Sequence, residues 1–295
     1  MSQLPMSKTP TSMSEDDFTV VKSLGSGKYG MVQMVEKKDS KRRMAWKRLH
    51  LKDDPQSEVE VMLLGRLKHQ GIVQMYEAYS DGVTADLLLE LCSKGNMQDF
   101  LDSKTESFAG ATCYSRPDDF FLASTLDQLL SAVEFLHQNR VAHRDIKPDN
   151  VLQSSKQQWK LADFNLACEF VPGESMAEYA GSDPYMAPEV KALKYNEKCD
   201  LYSMGVLFTA LVHGKHYYRP EEITDSDEAR QAKKRQEALE LLSEQRWKAA
   251  SLNREAWRLV QEMLAPQALR CDAQQALSHP WLKQYEAGGA CCTVS

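Results

Sequence analysis

The order of predicted elements along this chain indicates an α+β protein with two lobes. Strand-like alternation dominates up to about residue 91, and helical periodicity dominates after Gly95. Strands followed by helices, without βαβ repetition, predict a small β-rich lobe and a larger helical lobe. The 295 residues, 42% hydrophobic and 26% charged, are ordinary for a globular protein with one large or two coupled domains.

The first lobe is predicted from its alternation of apolar and polar residues. Four stretches are strand-like: residues 18–34, 43–49, 72–79 and 84–91. A short helix is predicted over residues 58–67, because Val61, Leu64 and Leu67 recur on one helical face. The glycine cluster inside the first stretch marks a turn between two strands.

The second lobe is predicted from helical periodicity. Helices are expected over residues 97–101 and from about Asp119 to Gln138, separated by a polar segment, 102–118, that indicates a surface insertion. The most apolar stretch, residues 202–212, predicts a buried core helix. The expected organisation is a disordered segment 1–14, a first lobe 18–91, a hinge 92–95, a second lobe 96–283 and a flexible tail 284–295.

Composition and charge exclude several function classes. The formal net charge is −6, so the sequence does not predict a nucleic-acid partner. The seven cysteines show neither zinc-ligand spacing nor a disulfide framework, and no signal peptide opens the chain. No apolar run reaches the ~18 residues that a membrane-spanning helix needs. The expected compartment is therefore the reducing cytoplasm.

A glycine-rich segment in the first lobe fits the pattern G-x-G-x-x-G-x-V. It contains Gly25, Ser26, Gly27, Gly30 and Val32. Glycine lets the backbone approach a phosphate closely, and backbone N–H groups then bind the anion. A hairpin turn would explain the segment equally well, so the pattern alone is a weak predictor. Its position between strands, not before a helix, argues against a dinucleotide-binding turn.

Lys47 is a candidate phosphate contact in the next predicted strand. A lysine buried there needs an anionic partner to stay charged. Glu60 in the short helix is the expected partner, because it lies nine residues before His69 in His-Gln-Gly-Ile-Val, which resembles the segment after the glutamate-bearing helix of protein kinases. Glu58 is the alternative, although it would occupy another face of the helix.

Residues His143 to Asn150 carry three chemically distinct groups. Asp145 supplies a carboxylate base, Lys147 a cation for a transferring phosphate, and Asn150 an amide ligand for a metal. Phosphoryl transfer to a hydroxyl needs this combination, because its transition state depends on positioning and charge neutralisation more than on covalent help. Asp163, in Leu-Ala-Asp-Phe-Asn, adds a hard oxygen ligand. Mg²⁺ or Mn²⁺ is therefore expected, and zinc is not.

The order and spacing of these motifs resemble eukaryotic protein kinases of the serine/threonine type over nearly the whole chain. The resemblance implies the bilobal protein-kinase fold, ATP and Mg²⁺ as cofactors, and protein hydroxyls as substrates. It also implies that Lys47 contacts the α- and β-phosphates and that Asp145 orients the substrate hydroxyl. Lys147 would neutralise the γ-phosphate, while Asn150 and Asp163 would hold the metal.

The same resemblance implies an adenine site around the hinge. Leu89 would be the gatekeeper, and the backbone groups of Glu90 and Cys92 would bond to adenine. Asn96 falls where the family often places a ribose contact. For Cys92, a small apolar linker residue is an equally good interpretation. Three further residues are expected to enclose the ring: Val32, Ala45 and Leu152.

Two positions depart from the family pattern. Asn165 replaces the glycine of Asp-Phe-Gly, and asparagine is among the few residues that tolerate a left-handed backbone. Lys47 and Glu60 are also unusually close in sequence, which predicts that the glutamate-bearing helix has lost its first turn. These departures leave a second interpretation open, a pseudokinase that serves as a nucleotide-binding or scaffold module.

The resemblance also predicts contacts in the activation segment that ends at Glu189. Ser182 stands where the family's threonine contacts the catalytic Asp and Lys, and Arg270 is placed to pair with Glu189. Arg144 usually meets an activation-loop phosphate, and Glu178 occupies the frequent phosphothreonine position. A fixed carboxylate there predicts basal activity without phosphorylation, although a solvated glutamate explains the residue equally well.

The last four residues form a C-a-a-X pattern with terminal serine. Cys292 is the predicted farnesylation site, and Cys291 could carry a palmitoyl group. A second lipid matters, because one chain anchors only marginally. A frayed tail with two chance cysteines is the alternative. The pattern predicts a peripheral, lipid-dependent association with membranes.

Overall fold

The structure is a computed structural model that describes residues 15–27, 30–51, 55–108, 111–214 and 253–286. The predicted segment 1–14 and Cys291 and Cys292 lie outside these ranges. The chain divides into two compact units. The first comprises residues 1–95 and 152–168, and the second comprises residues 96–151 and 169–295.

The elements agree with the predicted α+β class. The strands are β1 (Phe18–Gly27), β2 (Gly30–Lys37), β3 (Arg43–His50), β4 (Met75–Ser80), β5 (Thr84–Leu89), β6 (Thr105–Phe108), β7 (Ala111–Tyr114), β8 (Val141–Ala142), β9 (Val151–Gln153), β10 (Trp159–Leu161) and β11 (Cys168–Glu169). The helices are α1 (Pro55–Arg66), α2 (Met97–Ser103), α3 (Asp119–Gln138), α4 (Pro188–Lys191), α5 (Cys199–His213), α6 (Arg254–Leu264), α7 (Ala273–Leu277) and α8 (Pro280–Glu286).

The first unit is built on a five-stranded antiparallel sheet with strand order β1-β2-β3-β5-β4. Of the predicted apolar face, Val61 and Leu64 are buried in α1, and Leu67 is buried just after the helix ends at Arg66. Strand β4 begins only at Met75, not at the predicted residue 72. Ile72 instead forms a single parallel bridge with Leu161, because the loop after α1 bonds to β10 before the sheet begins.

The segment 152–168 groups with the first unit, although it follows residues 96–151 of the second unit along the chain. Backbone hydrogen bonds explain this grouping. Gln153 exchanges bonds with the hinge, donating to the Gly95 carbonyl and accepting from the Lys94 N–H. Leu161 donates to the Gly71 carbonyl and accepts from the Val73 N–H. These pairings join residues far apart in sequence, so local patterns could not predict them.

The second unit is organised around the predicted core helix α5. Its residues from 199 to 212 are buried except Tyr202, which explains why this stretch is the most apolar of the chain. Helix α3 begins after Asp118, whose carboxylate accepts from the Phe121 N–H. No helix within the described ranges is long and apolar enough to cross a membrane.

The segment 102–118, predicted as a polar surface insertion, contains the antiparallel pair β6 and β7. The Tyr114 hydroxyl donates to the Leu211 carbonyl near the end of α5, at 2.7 Å. Gly214 ends α5 with a left-handed backbone (φ 64°) and lies against the Tyr114 ring, where a Cβ would clash. The insertion is therefore tied to the core helix through an aromatic side chain.

Candidate active site

The glycine-rich segment forms the end of the β1–β2 hairpin. Gly25 pairs with Val32, and Gly27 pairs with Gly30. Gly30 has φ 143°, and a Cβ there would lie 1.9 Å from the Arg48 carbonyl oxygen of β3. Gly30 is therefore required by the close approach of two strands. At Gly25 a Cβ would meet nothing within 4 Å, so packing does not explain that glycine.

Lys47 joins two carboxylates within the first unit. Its Nζ lies 2.7 and 2.8 Å from the two oxygens of Glu60 and 2.9 Å from Oδ1 of Asp163. The backbone N–H of Phe164 also donates to Glu60. The predicted partner is thus in contact, while the alternative, Glu58, is exposed. The arrangement fixes helix α1 to the segment that carries Asp163.

The charge of Lys47 is maintained by these neighbours. The Lys47 side chain is 12% exposed and that of Glu60 is 1% exposed. Burial alone lowers the pKa of Lys47, but the nearby Glu60 and Asp163 carboxylates outweigh this and raise the pKa above its ordinary value. Lys47 is therefore a fixed cation at neutral pH, as a contact for nucleotide phosphates requires.

The predicted hinge contacts follow the end of β5. Leu89 is buried, and it pairs in register with Ala45 of β3. The Glu90 N–H donates to the Gln74 carbonyl at 2.8 Å, so the Glu90 carbonyl is the backbone group left for an adenine amine. Burial and the nearby Glu90 carboxylate raise the pKa of Cys92 to about 12. The Cys92 thiol is therefore unreactive, in agreement with the apolar linker interpretation.

The remaining predicted nucleotide contacts are Val32, Leu152 and Asn96. Val32 and Leu152 are half-buried residues of the first unit. Asn96 opens the second unit as the N-cap of α2. Its side-chain oxygen accepts from the Asp99 N–H at 2.8 Å, and the Asp99 carboxylate accepts from the Asn96 N–H. This capping box stabilises the N-terminus of α2, so a structural role is sufficient to explain Asn96.

The second unit brings together Asp145, Lys147, Asn150 and Ser182. Lys147 Nζ lies 2.8 Å from Asp145 Oδ2 and 2.8 Å from Ser182 Oγ. The Ser182 hydroxyl donates to Asp145 Oδ1 at 2.7 Å, and the Asn150 amide donates to Asp145 Oδ2 at 2.8 Å. Because its amide nitrogen faces Asp145, the Asn150 oxygen is the atom suited to a cation. Bonds to both of its oxygens therefore fix the orientation of the Asp145 carboxylate.

A buried carboxylate holds the backbone of this loop. Asp200, fully buried in α5, accepts from the N–H groups of His143 (2.9 Å) and Arg144 (2.8 Å). Arg144 has a left-handed backbone with φ 66°, a strained conformation for a non-glycine residue. Burial raises the pKa of Asp200, but bonds from His137 and the His143 N–H outweigh this and lower it. Sequence patterns did not predict this role of Asp200.

The Arg144 side chain meets the predicted carboxylate. Its guanidinium, 2% exposed, lies 2.8 Å from Glu178 Oε2. The Tyr195 hydroxyl lies 3.1 Å from Arg144 Nη1 and donates to the Glu178 carbonyl at 2.7 Å. Met176 and Tyr195 exchange two backbone hydrogen bonds. Residues 176–178 of the predicted activation segment are therefore held in place by contacts with Arg144 and Tyr195.

Asp163 and Asn165 differ from the expected backbone pattern. Asp163 has a left-handed backbone (φ 61°), whereas the φ angle of Asn165 is not positive. The observed conformation thus does not need glycine at position 165. The Asn165 side chain is buried, and its Oδ1 has no hydrogen-bond partner within the described residues.

The chemistry of the donors fits a cation that is shared with phosphates. Within the described residues, no three His, Cys, Asp or Glu side chains form a metal-binding group. The Asp163 carboxylate is a hard oxygen ligand of the kind that suits Mg²⁺, which usually takes its other ligands from phosphate oxygens and water.

Comparisons with known proteins agree with this chemistry. The family model described as "Protein kinase domain" matches residues 18–282. The chain is 30% identical over 275 residues to serine/threonine-protein kinase PEPKR2 of Arabidopsis thaliana, covering 92% of this chain and 54% of the relative. It is 30% identical over 281 residues to calcium-dependent protein kinase 32 of the same plant (91% and 49%).

A third relative comes from another kingdom. The chain is 32% identical over 206 residues to the probable serine/threonine-protein kinase MARK-A of Dictyostelium discoideum, covering 67% of this chain and 18% of the relative. The chain thus spans about half the length of the first two relatives and much less of the third.

Proposed function

Because the chain belongs to the protein kinase family, we propose that it transfers the γ-phosphate of ATP to serine or threonine hydroxyls of protein substrates. The observation that carries the proposal is the Asp145 carboxylate, bonded through both oxygens to Lys147, Asn150 and Ser182. A carboxylate oriented in this way can accept a hydroxyl proton as the phosphorus–oxygen bond forms.

The role proposed for each residue is the one implied by its motif in the protein kinase family, and its contacts are compatible with that role. Asp145 orients the substrate hydroxyl and accepts its proton, and Lys147 neutralises charge on the transferring phosphoryl group. Lys47, kept cationic by Glu60, binds the α- and β-phosphates. Asn150 and Asp163 would hold Mg²⁺, with Mn²⁺ as an alternative, and this cation supplies charge neutralisation at the phosphates. The Glu90 carbonyl would accept from the adenine amine.

The test is transfer of radioactive phosphate from ATP to a generic basic protein with Mg²⁺, comparing wild type with Asp145→Asn. Transfer that depends on Asp145 supports the proposal. A wild type that binds ADP but transfers no phosphate to any of several protein substrates or to itself would contradict it and favour the pseudokinase interpretation.

Regulation of this activity follows from the Arg144–Glu178 pair. A carboxylate carries less charge than a phosphate, but it neutralises a buried guanidinium and holds the activation segment. We expect phosphatase treatment to leave basal activity unchanged. The Glu178→Gln variant should lose activity several-fold, because Arg144 then loses the carboxylate that pairs with it at 2.8 Å.

The matched control is Glu174→Gln, an exposed carboxylate four residues earlier in the same segment. It should retain wild-type activity in the same peptide assay. Equal activity of the Glu178 and Glu174 variants, or loss of wild-type activity after phosphatase treatment, would show that the Glu178 carboxylate does not replace a phosphate.

The lipid anchor is a proposal from sequence alone. Cys291 and Cys292 lie outside the described residues, so its support is the C-a-a-X pattern at the end of the chain. We expect the Cys292→Ser variant to leave the membrane fraction of cells that express it. Equal membrane association of variant and wild type would rule out prenylation as the anchor.

A further inference from the structure

Lys160 is a buried cation that the roles assigned so far do not use. It lies in the middle of strand β10, between Trp159 and Leu161, whose side chains are 1% and 0% exposed. The Lys160 side chain is itself only 7% exposed. An ammonium removed from water is unfavourable unless it is paired and hydrogen-bonded, so its partners show what it holds.

Two partners satisfy this ammonium, and both belong to the first unit. Lys160 Nζ lies 3.0 Å from Glu90 Oε2 and donates to the Gln70 carbonyl at 2.6 Å. Glu90 lies two residues before the hinge 92–95, and its N–H is bonded to the Gln74 carbonyl, which leaves the Glu90 carbonyl for the proposed adenine contact. Gln70 belongs to the loop that follows helix α1. The ion pair therefore fixes the hinge through the Glu90 side chain.

The position of Lys160 in the chain extends this connection to the metal ligand. Two residues separate Lys160 from Asp163, and the first of them, Leu161, is bonded through its backbone to Gly71 and Val73. One buried ammonium thus links the hinge, the loop after the Glu60-bearing helix and the strand that leads to Asp163. The flanking residues Trp159 and Leu161 are buried in the core, so an apolar side chain at position 160 would be sufficient for packing alone. The charge of Lys160 therefore has another purpose.

We propose that Lys160 is a positioning residue for nucleotide binding, which acts by holding Glu90 and with it the hinge in the conformation that receives adenine. This inference rests on the proposed function, since it assigns the hinge to adenine. Adenine contacts are the same in the ground state and the transition state, so their loss weakens nucleotide binding and leaves the chemical step unchanged.

The test compares Lys160→Met with Lys160→Arg and Glu90→Gln. We expect Lys160→Met to raise the Kd for ADP, measured by calorimetry, and the KM for ATP about tenfold, with kcat unchanged. Lys160→Arg keeps the charge and should restore most of the affinity. Glu90→Gln should weaken ADP binding in the same direction, and the double variant should bind no more weakly than Lys160→Met alone.

The matched control is Lys156→Met, an exposed lysine in the turn before β10, which should bind ADP like wild type. A lower melting temperature with an unchanged Kd for ADP in the Lys160 and Glu90 variants would show a merely structural pair and overturn the inference. If Lys160→Met does not fold, Lys160→Arg and Glu90→Gln still decide through their Kd values. ADP binding is measured without catalysis, so failure of phosphate transfer in wild type would contradict the proposed function alone.

Discussion

Asn in place of Asp145 should lower kcat by about 10²–10⁴-fold, the usual contribution of a positioned general base. The amide cannot accept the hydroxyl proton, and it also removes the anion that faces Lys147 at 2.8 Å. Because Lys47, Glu60 and Asp163 form their own contacts in the first unit, the KM for ATP should stay close to the wild-type value. Steady-state transfer to a basic peptide measures both constants.

The control for this variant is Asp149→Asn, the same chemical change at an exposed position of the same loop. It should leave kcat unchanged. A decrease of less than about tenfold for Asp145→Asn would mean that Asp145 is not the base, since the loss would then fall below the usual range for such a group.

Removal of the Glu189 carboxylate should have the largest effect on stability. The Arg270 side chain is 1% exposed and pairs with Glu189 through two nitrogens. Its Nε donates to the Ala265 carbonyl and its Nη1 to the Lys198 carbonyl, each at 3.0 Å. In Glu189→Ala these bonds remain but the buried charge loses its counter-ion. We expect the free energy of unfolding to fall by about 3–5 kcal/mol, measured by urea denaturation.

The exposed pair Arg258–Glu255 provides the comparison. Its side chains are 56% and 36% exposed, so Glu255→Ala should cost at most about 1 kcal/mol. If the free energy of unfolding fell by similar amounts in the Glu189 and Glu255 variants, burial would not make the Arg270–Glu189 pair more stabilising than an exposed pair. Glu189→Gln, which keeps the shape but not the charge, should lie between wild type and Glu189→Ala.

Several predictions from sequence agree with the structure because they depend on local patterns. The apolar stretch of α5 predicted a buried helix, and the periodicity of α3 predicted its bounds at Asp119 and Gln138. The pairs Lys47–Glu60 and Arg270–Glu189, which are in contact, were implied instead by the resemblance to protein kinases.

Other features required the tertiary structure, because they join residues that are far apart in sequence. The segment 152–168 belongs to the first unit through backbone bonds to the hinge and to the loop after α1. Asp200 supports the backbone of a loop more than fifty residues away, and the Tyr114 side chain reaches the end of α5. No local sequence pattern indicates these partners.

The sequence by itself determined which chemical groups this protein carries and its α+β class. Only the tertiary structure decided which of those groups are oriented, as Ser182 and Asn150 orient Asp145, and which buried charges are paired, as Lys160 is with Glu90. The physical reason is that residue type sets charge and hydrogen-bonding capacity, whereas burial and pairing depend on long-range packing.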